Sequence, residues 1–215
     1  IMGDFVLSQV LTNLIHLRDF DALDLISDTA KRLSSGEMLQ IERSFKKSMS
    51  EEIYFRMVKD KTASLIATCC ELGVITTSKD KYHKTAARDY GEKLGMAFQI
   101  KDDLFDILGA TKDTGKDTNA DVSKNIITLP IIHTMSSSLS TVERRQLRKT
   151  LSNGAKRKDV NRLKEIVFEY GGFDYAKKKL QEFSDQAVSA LSPFPDSPYK
   201  RSMIDLCLYN VQRTR

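Results

Sequence analysis

The stretch Gly91 to Asp106, read G-E-K-L-G-M-A-F-Q-I-K-D-D-L-F-D, does most to constrain what this chain can fold into. Leu94, Met96, Ala97, Ile100, Leu104 and Ile107 recur at spacings of mostly three and four, which predicts one long amphipathic helix. Three carboxylates, Asp102, Asp103 and Asp106, crowd its C-terminal end. On a helix Asp102 and Asp106 stand one turn apart on one face, with Asp103 beside Asp106. Like charges this close repel, and Asp is a poor helix former, so something must offset the repulsion. A solvated acidic face is one reading. A bound divalent cation is the other. Hard oxygen ligands on one face suit Mg²⁺, which keeps several waters and often shares its shell with substrate phosphates. The surroundings favour the cation. Gln99 sits one turn before the carboxylates, and the polar loop Ala110 to Lys124 after them carries Lys112, Lys116 and Lys124.

The rest of the chain reads as helix. Asp4 to Leu17 is apolar almost all round, which predicts a helix buried centrally or in a subunit interface. Phe20 to Leu33 follows, ending near Gly36, and Glu37 to Lys47 forms a shorter helix. Ser50 caps the next, with Glu51 and Glu52 in its first turn, and Gly73 is its expected C-cap. The loop Val74–Ser78 leads into the long helix, and Ile126 to Met135 is a short apolar one after it. Ser140-Thr141-Val142-Glu143 is a capping box. Val160 to Tyr170 ends at Gly171-Gly172, Phe173 to Leu191 stops at Pro193-Phe194-Pro195, and Ser197-Pro198 opens a last helix through Val211. No stretch sustains strand alternation, and no repeat or linker divides the chain, so residues 1–215 are expected to form a single-domain, all-α helical bundle.

Composition excludes several classes. No apolar run is long enough for a transmembrane span, leaving at most peripheral membrane contact. The basic clusters, such as Lys177-Lys178-Lys179, have no aromatic residues interleaved for base stacking, which argues against nucleic acid. Cys69, Cys70 and Cys207 form no C-x-x-C pair and read as small core residues in a reducing cytoplasm. With only His16, His83 and His133 present and no Glu-x-x-His, a di-iron carboxylate bundle fails.

Gly95 to Asp106, G-M-A-F-Q-I-K-D-D-L-F-D, resembles the second aspartate-rich motif of the trans-type polyprenyl diphosphate synthases, the family of farnesyl, geranylgeranyl and octaprenyl diphosphate synthases. Thr114-Gly115-Lys116 and Thr128-Leu129-Pro130 resemble the segments that follow it there. Lys61-Thr62 resembles the family's Lys-Thr helix, and Gly3-Asp4-Phe5 its G-D-F/Y helix start. The resemblance implies an isoprenoid-synthase bundle that performs Mg²⁺-dependent head-to-tail prenyl transfer. Isopentenyl diphosphate would be condensed with an allylic diphosphate to a long, octaprenyl-like all-trans product. It implies metal ligation by Asp102, Asp103 and Asp106, and substrate binding by Lys61, Thr62, Phe98, Gln99 and Lys116. Lys61, Lys116 and Asp102 would carry the catalytic charge stabilisation, and a homodimer is implied as well.

Departures are as informative. The family's first aspartate-rich motif and its G-K-x-x-R-P segment would lie before residue 1, so the expectation is an N-terminally incomplete chain that does not elongate a substrate alone. Ile126 stands where the family carries a phosphate-facing lysine, with Lys124 two positions away. That exchange keeps a non-catalytic accessory subunit in view. A terpene cyclase shares the ionisation chemistry, but the Lys-Thr and Gly-Lys elements favour the synthase.

Overall fold

The computed structural model describes residues 1–46, 48–78, 80–108, 127–152 and 157–214. Every regular element among them is helical: α1 (Met2–Leu17), α2 (Phe20–Lys46), α3 (Glu51–Val58), a π turn (Lys59–Ala63), α4 (Ser64–Ile75) and α5 (Lys81–Leu108) come first. They are followed by α6 (Leu129–Ser136), α7 (Thr141–Ser152), α8 (Arg157–Glu169), α9 (Gly172–Ala190) and α10 (Pro198–Gln212). The all-α reading holds. No helix of the described residues is long and apolar enough to cross a membrane.

The expected caps are in place. Ser50 Oγ accepts from Ile53 N at 3.3 Å and Ser197 Oγ from Lys200 N at 3.1 Å. At the head of α7 the box closes both ways: Glu143 N donates to Ser140 Oγ at 3.2 Å, and Ser140 N donates to Glu143 Oε2 at 3.0 Å. Between α8 and α9 stands Gly171, the N-cap of α9, whose φ of 70° is a left-handed conformation suited to glycine.

Two glycine readings are corrected. Gly36 does not end a helix, because Phe20–Lys46 is continuous across it. It is buried where α2 crosses the π turn, and a Cβ there would lie 2.6 Å from Lys61 N. Gly73 likewise stays inside α4, which runs on to Ile75. Each glycine was read as a stop; at Gly36 the residue instead permits a close crossing.

Helix α5 is the axis of the bundle. It packs between α4 on one side and α9 on the other, and its buried set runs from Ala86 to Ile107. One core cluster gathers Met57, Val58, Ala63, Met96, Ile100, Leu104 and Ile107 with residues of α6 to α9. A second lies towards the other end of α5, around Tyr90, Leu94, Leu191 and Cys207. Helix α1 meets α2, with Leu11 and Leu14 half-buried, but has no buried residue along its length. The cysteine reading holds for Cys207 alone. Cys207 is buried, whereas Cys70 is half-buried and Cys69 exposed, since α4 turns only one face to α5.

Candidate functional site

The site is built by two close helix contacts. Gly91 and Gly95 face Ala67 and Ala63, so α5 lies against the π turn and α4 with no side chain between the backbones. A Cβ on Gly95 would meet Ala63 Cα at 2.5 Å. The π turn itself inserts one extra residue into an otherwise continuous α3–α4 rod, a deformation that helices commonly use at functional sites. It re-aims Lys61 and Thr62 towards α2 and the C-terminal end of α5.

Contacts then follow from the approach. Thr62 Oγ1 donates to Gln99 Oε1 at 2.9 Å, and Gln99 Nε2 donates to Asp103 Oδ1 at 3.0 Å. Tyr54 Oη donates to Asp103 Oδ2 at 2.7 Å. Lys61 Nζ donates to Gln40 Oε1 at 2.5 Å and pairs with Glu37 Oε2 at 2.6 Å. Arg32 pairs with Asp60 at 2.9 Å, tying the far side of the turn to α2. Lys61, Thr62, Gln99, Asp103 and Asp106 all line one cavity of about 180 Å³, with Gln40, Tyr54, Met57, Val58 and Ile127.

Asp103 is 5% exposed, and burial pushes its carboxyl up to about 7. The hydrogen bonds from Gln99 and Tyr54 oppose that rise, while Asp106 and Asp102 add to it. Tyr54 is raised well above its ordinary value, by burial first and by the Asp103 charge second. Asp106 is exposed at the cavity mouth.

Asp102 and Phe98 do not join this cavity. Asp102 forms an ion pair with Arg213, beyond the end of α10, and the Arg213 guanidinium lies 4.6 Å from the Phe98 ring centre. Lys116, Lys112, Lys124 and Ile126 lie outside the described residues. Sequence reading missed Tyr54, Glu37, Gln40 and Arg213. Glu37 and Gln40 carried a signal, three apart and just after Gly36, but a helix stop placed at Gly36 hid it. Nothing local marks Arg213.

The donor set was tested against a divalent cation. Among the described residues no three carboxylate, histidine or cysteine ligands converge on one point. The aspartates do offer hard oxygens beside lysine, threonine and glutamine donors, which fits a cation completing its shell with substrate oxygens.

The polyprenyl synthetase family model matches residues 1–169. The octaprenyl diphosphate synthase of Haemophilus influenzae is 29% identical over 213 residues, covering 99% of this chain and 64% of that protein. The crystal structure of a decaprenyl diphosphate synthase from Rhodobacter capsulatus superposes with a TM-score of 0.90 at 26% identity, over 99% of this chain and 66% of that one. A polyprenyl synthase from Caulobacter crescentus, complexed with calcium and isoprenyl diphosphate, matches with a TM-score of 0.86 at 27% identity, over 99% of this chain and 65% of that one. The chain thus spans about two thirds of the length of these relatives. Because a single family model runs unbroken from residue 1 through the Lys-Thr turn, the aspartate-rich helix and on to residue 169, the chain belongs to the polyprenyl synthetase family.

Proposed function

We propose that the protein catalyses head-to-tail prenyl transfer from an allylic diphosphate to isopentenyl diphosphate, yielding a long-chain all-trans polyprenyl diphosphate. One observation carries this reading: Lys61, Thr62, Gln99, Asp103 and Asp106, distant in sequence, line a single cavity. The names of the relatives, octaprenyl and decaprenyl diphosphate synthases, support the reaction and the long product. The calcium and isoprenyl diphosphate of the Caulobacter crescentus protein support the pairing of cation and diphosphate.

In this reading Lys61 Nζ exchanges its contacts with Gln40 and Glu37 for diphosphate oxygens, and Thr62 and Gln99 orient the group by hydrogen bonds. Lys116 adds a second cationic clamp. Asp102, Asp103 and Asp106 are the residues that would hold Mg²⁺. The bound cation supplies Lewis-acid neutralisation of the departing diphosphate. The allylic C–O bond breaks with its electron pair leaving on the diphosphate, which Lys61, Thr62 and Gln99 hold; the isopentenyl double bond attacks the allylic carbocation, and loss of a proton to the released diphosphate completes the new double bond. Burial of Asp103 with Tyr54 and Gln99 keeps this wall of the site rigid before substrate arrives.

The same reading includes a homodimer assembled over the exposed apolar face of α1, and a cytoplasmic location, which the free thiols at Cys69, Cys70 and Cys207 support.

Calorimetric titration of an allylic diphosphate analogue tests the site. Binding should be saturable with Mg²⁺ present, and Lys61→Ala with Thr62→Ala should weaken it by about tenfold to a hundredfold. Tight Mg²⁺ binding without a diphosphate, or unchanged affinity in the double variant, would count against it.

A further inference from the structure

Arg213 is the most heavily engaged cation in the neighbourhood of the aspartate-rich helix. Its guanidinium forms the ion pair with Asp102 Oδ1 and donates through Nη2 to Phe98 O at 3.4 Å. It lies 4.6 Å and 5.2 Å from the ring centres of Phe98 and Phe105. Its Nε donates to Asn210 Oδ1 at 3.0 Å, and its side chain is only 14% exposed. Asn210 is buried, and its Nδ2 has no hydrogen-bond partner among the described residues. The amide is therefore placed for Arg213 and little else. Lys101, next to Asp102, donates to Val211 O at 2.7 Å and braces the last turn of α10.

The end of α5 presents two adjoining sectors. Gln99, Asp103 and Asp106 look into the cavity, whereas Phe98, Asp102 and Phe105 look at Arg213. Asp102 stands one turn from Asp106 on the adjoining sector, but while it is held in the ion pair with Arg213 it is not available to a cation at the cavity. We propose that Arg213 is the resting counter-ion of Asp102, a positioning residue that must leave before Asp102 can ligate a divalent cation. Capture of the cation and release of Arg213 from the segment after α10 are thereby one equilibrium, read from either side. This rests on the reading above that Asp102 joins a cation–diphosphate site.

The test uses Mn²⁺ as the probe, with inorganic diphosphate, on the whole chain. Arg213→Ala should bind Mn²⁺–diphosphate roughly fivefold or more tighter than the unaltered chain. Arg213→Lys keeps the charge but loses the planar fork and the stack, so it too should bind more tightly, by a smaller factor. A charge effect alone would leave Arg213→Lys unchanged. In the unaltered chain, amide hydrogen exchange over residues 207–214 should speed up when Mn²⁺ and diphosphate are added together. Equal affinities in all three proteins, or slower exchange on loading, would overturn the proposal while leaving the site reading intact. No Mn²⁺–diphosphate binding by any of them would overturn the site reading, and this inference with it. Should Arg213→Ala melt early, Arg213→Lys and the exchange measurement still decide.

Discussion

Helices α1 and α5 both carry the apolar spacing of a core helix, and the structure treats them oppositely. In α5 a buried face runs from Ala86 to Ile107, and the helix touches neighbours on two sides. In α1, Phe5, Val6, Leu7, Val10, Ile15 and Leu17 are all exposed. Apolarity does not separate them; the fit of the backbone does. Gly91 and Gly95 let α5 approach Ala67 and Ala63 until a Cβ would clash, while a Cβ on Gly3 in α1 would meet nothing within 4 Å among the described residues beyond its own helix backbone and chain neighbours. A hydrophobic pattern states that a face is to be covered. Small residues at the crossing state that the chain itself covers it, at one spacing and one register.

The largest expected effect breaks the α5 side. Gly95→Val sets branched carbons against Ala63 Cα, where even one Cβ falls at 2.5 Å. Backbone cannot rotate away, so overpacking should cost roughly 3 kcal/mol of stability. It should also separate Thr62 from Gln99, now 2.9 Å apart, and so weaken diphosphate binding. Urea unfolding with calorimetry on the same samples checks both. A loss below about 0.5 kcal/mol, within the range of ordinary surface changes, would show that the contact is loose and the comparison false.

Next comes the exposed face. Val6→Asp with Val10→Asp places two charges on the exposed face of α1. The stability of the isolated chain should move by no more than about 0.5 kcal/mol. Self-association should weaken by about a hundredfold, because an interface core does not tolerate unpaired charge. Sedimentation across a concentration series reads this directly. An unchanged oligomeric state would move the proposed interface off α1.

How much of this was legible follows the same line. The aspartate-rich helix, the caps at Ser50, Ser140 and Ser197 and the all-α architecture were readable because they depend on local chemistry. The stops placed at Gly36 and Gly73 were not, because a glycine that ends a helix and one that admits a neighbour look alike in one dimension. The π turn was invisible too. Its sequence, Lys59-Asp60-Lys61-Thr62-Ala63, is ordinary helix, and only the packing against Gly36 and Gly95 distinguishes it. Among the site residues, those on one helix were found together. Tyr54, Glu37, Gln40 and Arg213 come from other elements, the last 111 positions from its partner Asp102. Spacing rules reach a few turns at most.

The smallest effect sharpens the comparison most. Gly3 opens α1 with open space beside it, so Gly3→Ala adds a methyl group that meets nothing among the described residues beyond its own helix. It also removes the extra backbone freedom of glycine from the unfolded state, a gain of about 0.5 kcal/mol near a helix start. For a domain of this size that corresponds to a melting temperature higher by about 1 to 2 °C. The gain should appear in dilute solution. Gly3 shares its stripe with Val6, Leu7 and Val10, at three, four and seven positions further on. If that stripe is the proposed interface, raising the protein concentration should shrink or reverse the gain, because the added methyl group then meets the second copy. A gain independent of concentration would place Gly3 outside any contact and shift the interface to the Phe5 and Ile15 side of α1. A loss already present in dilute solution would mean that α1 packs on its own chain after all, and the contrast with α5 would fall.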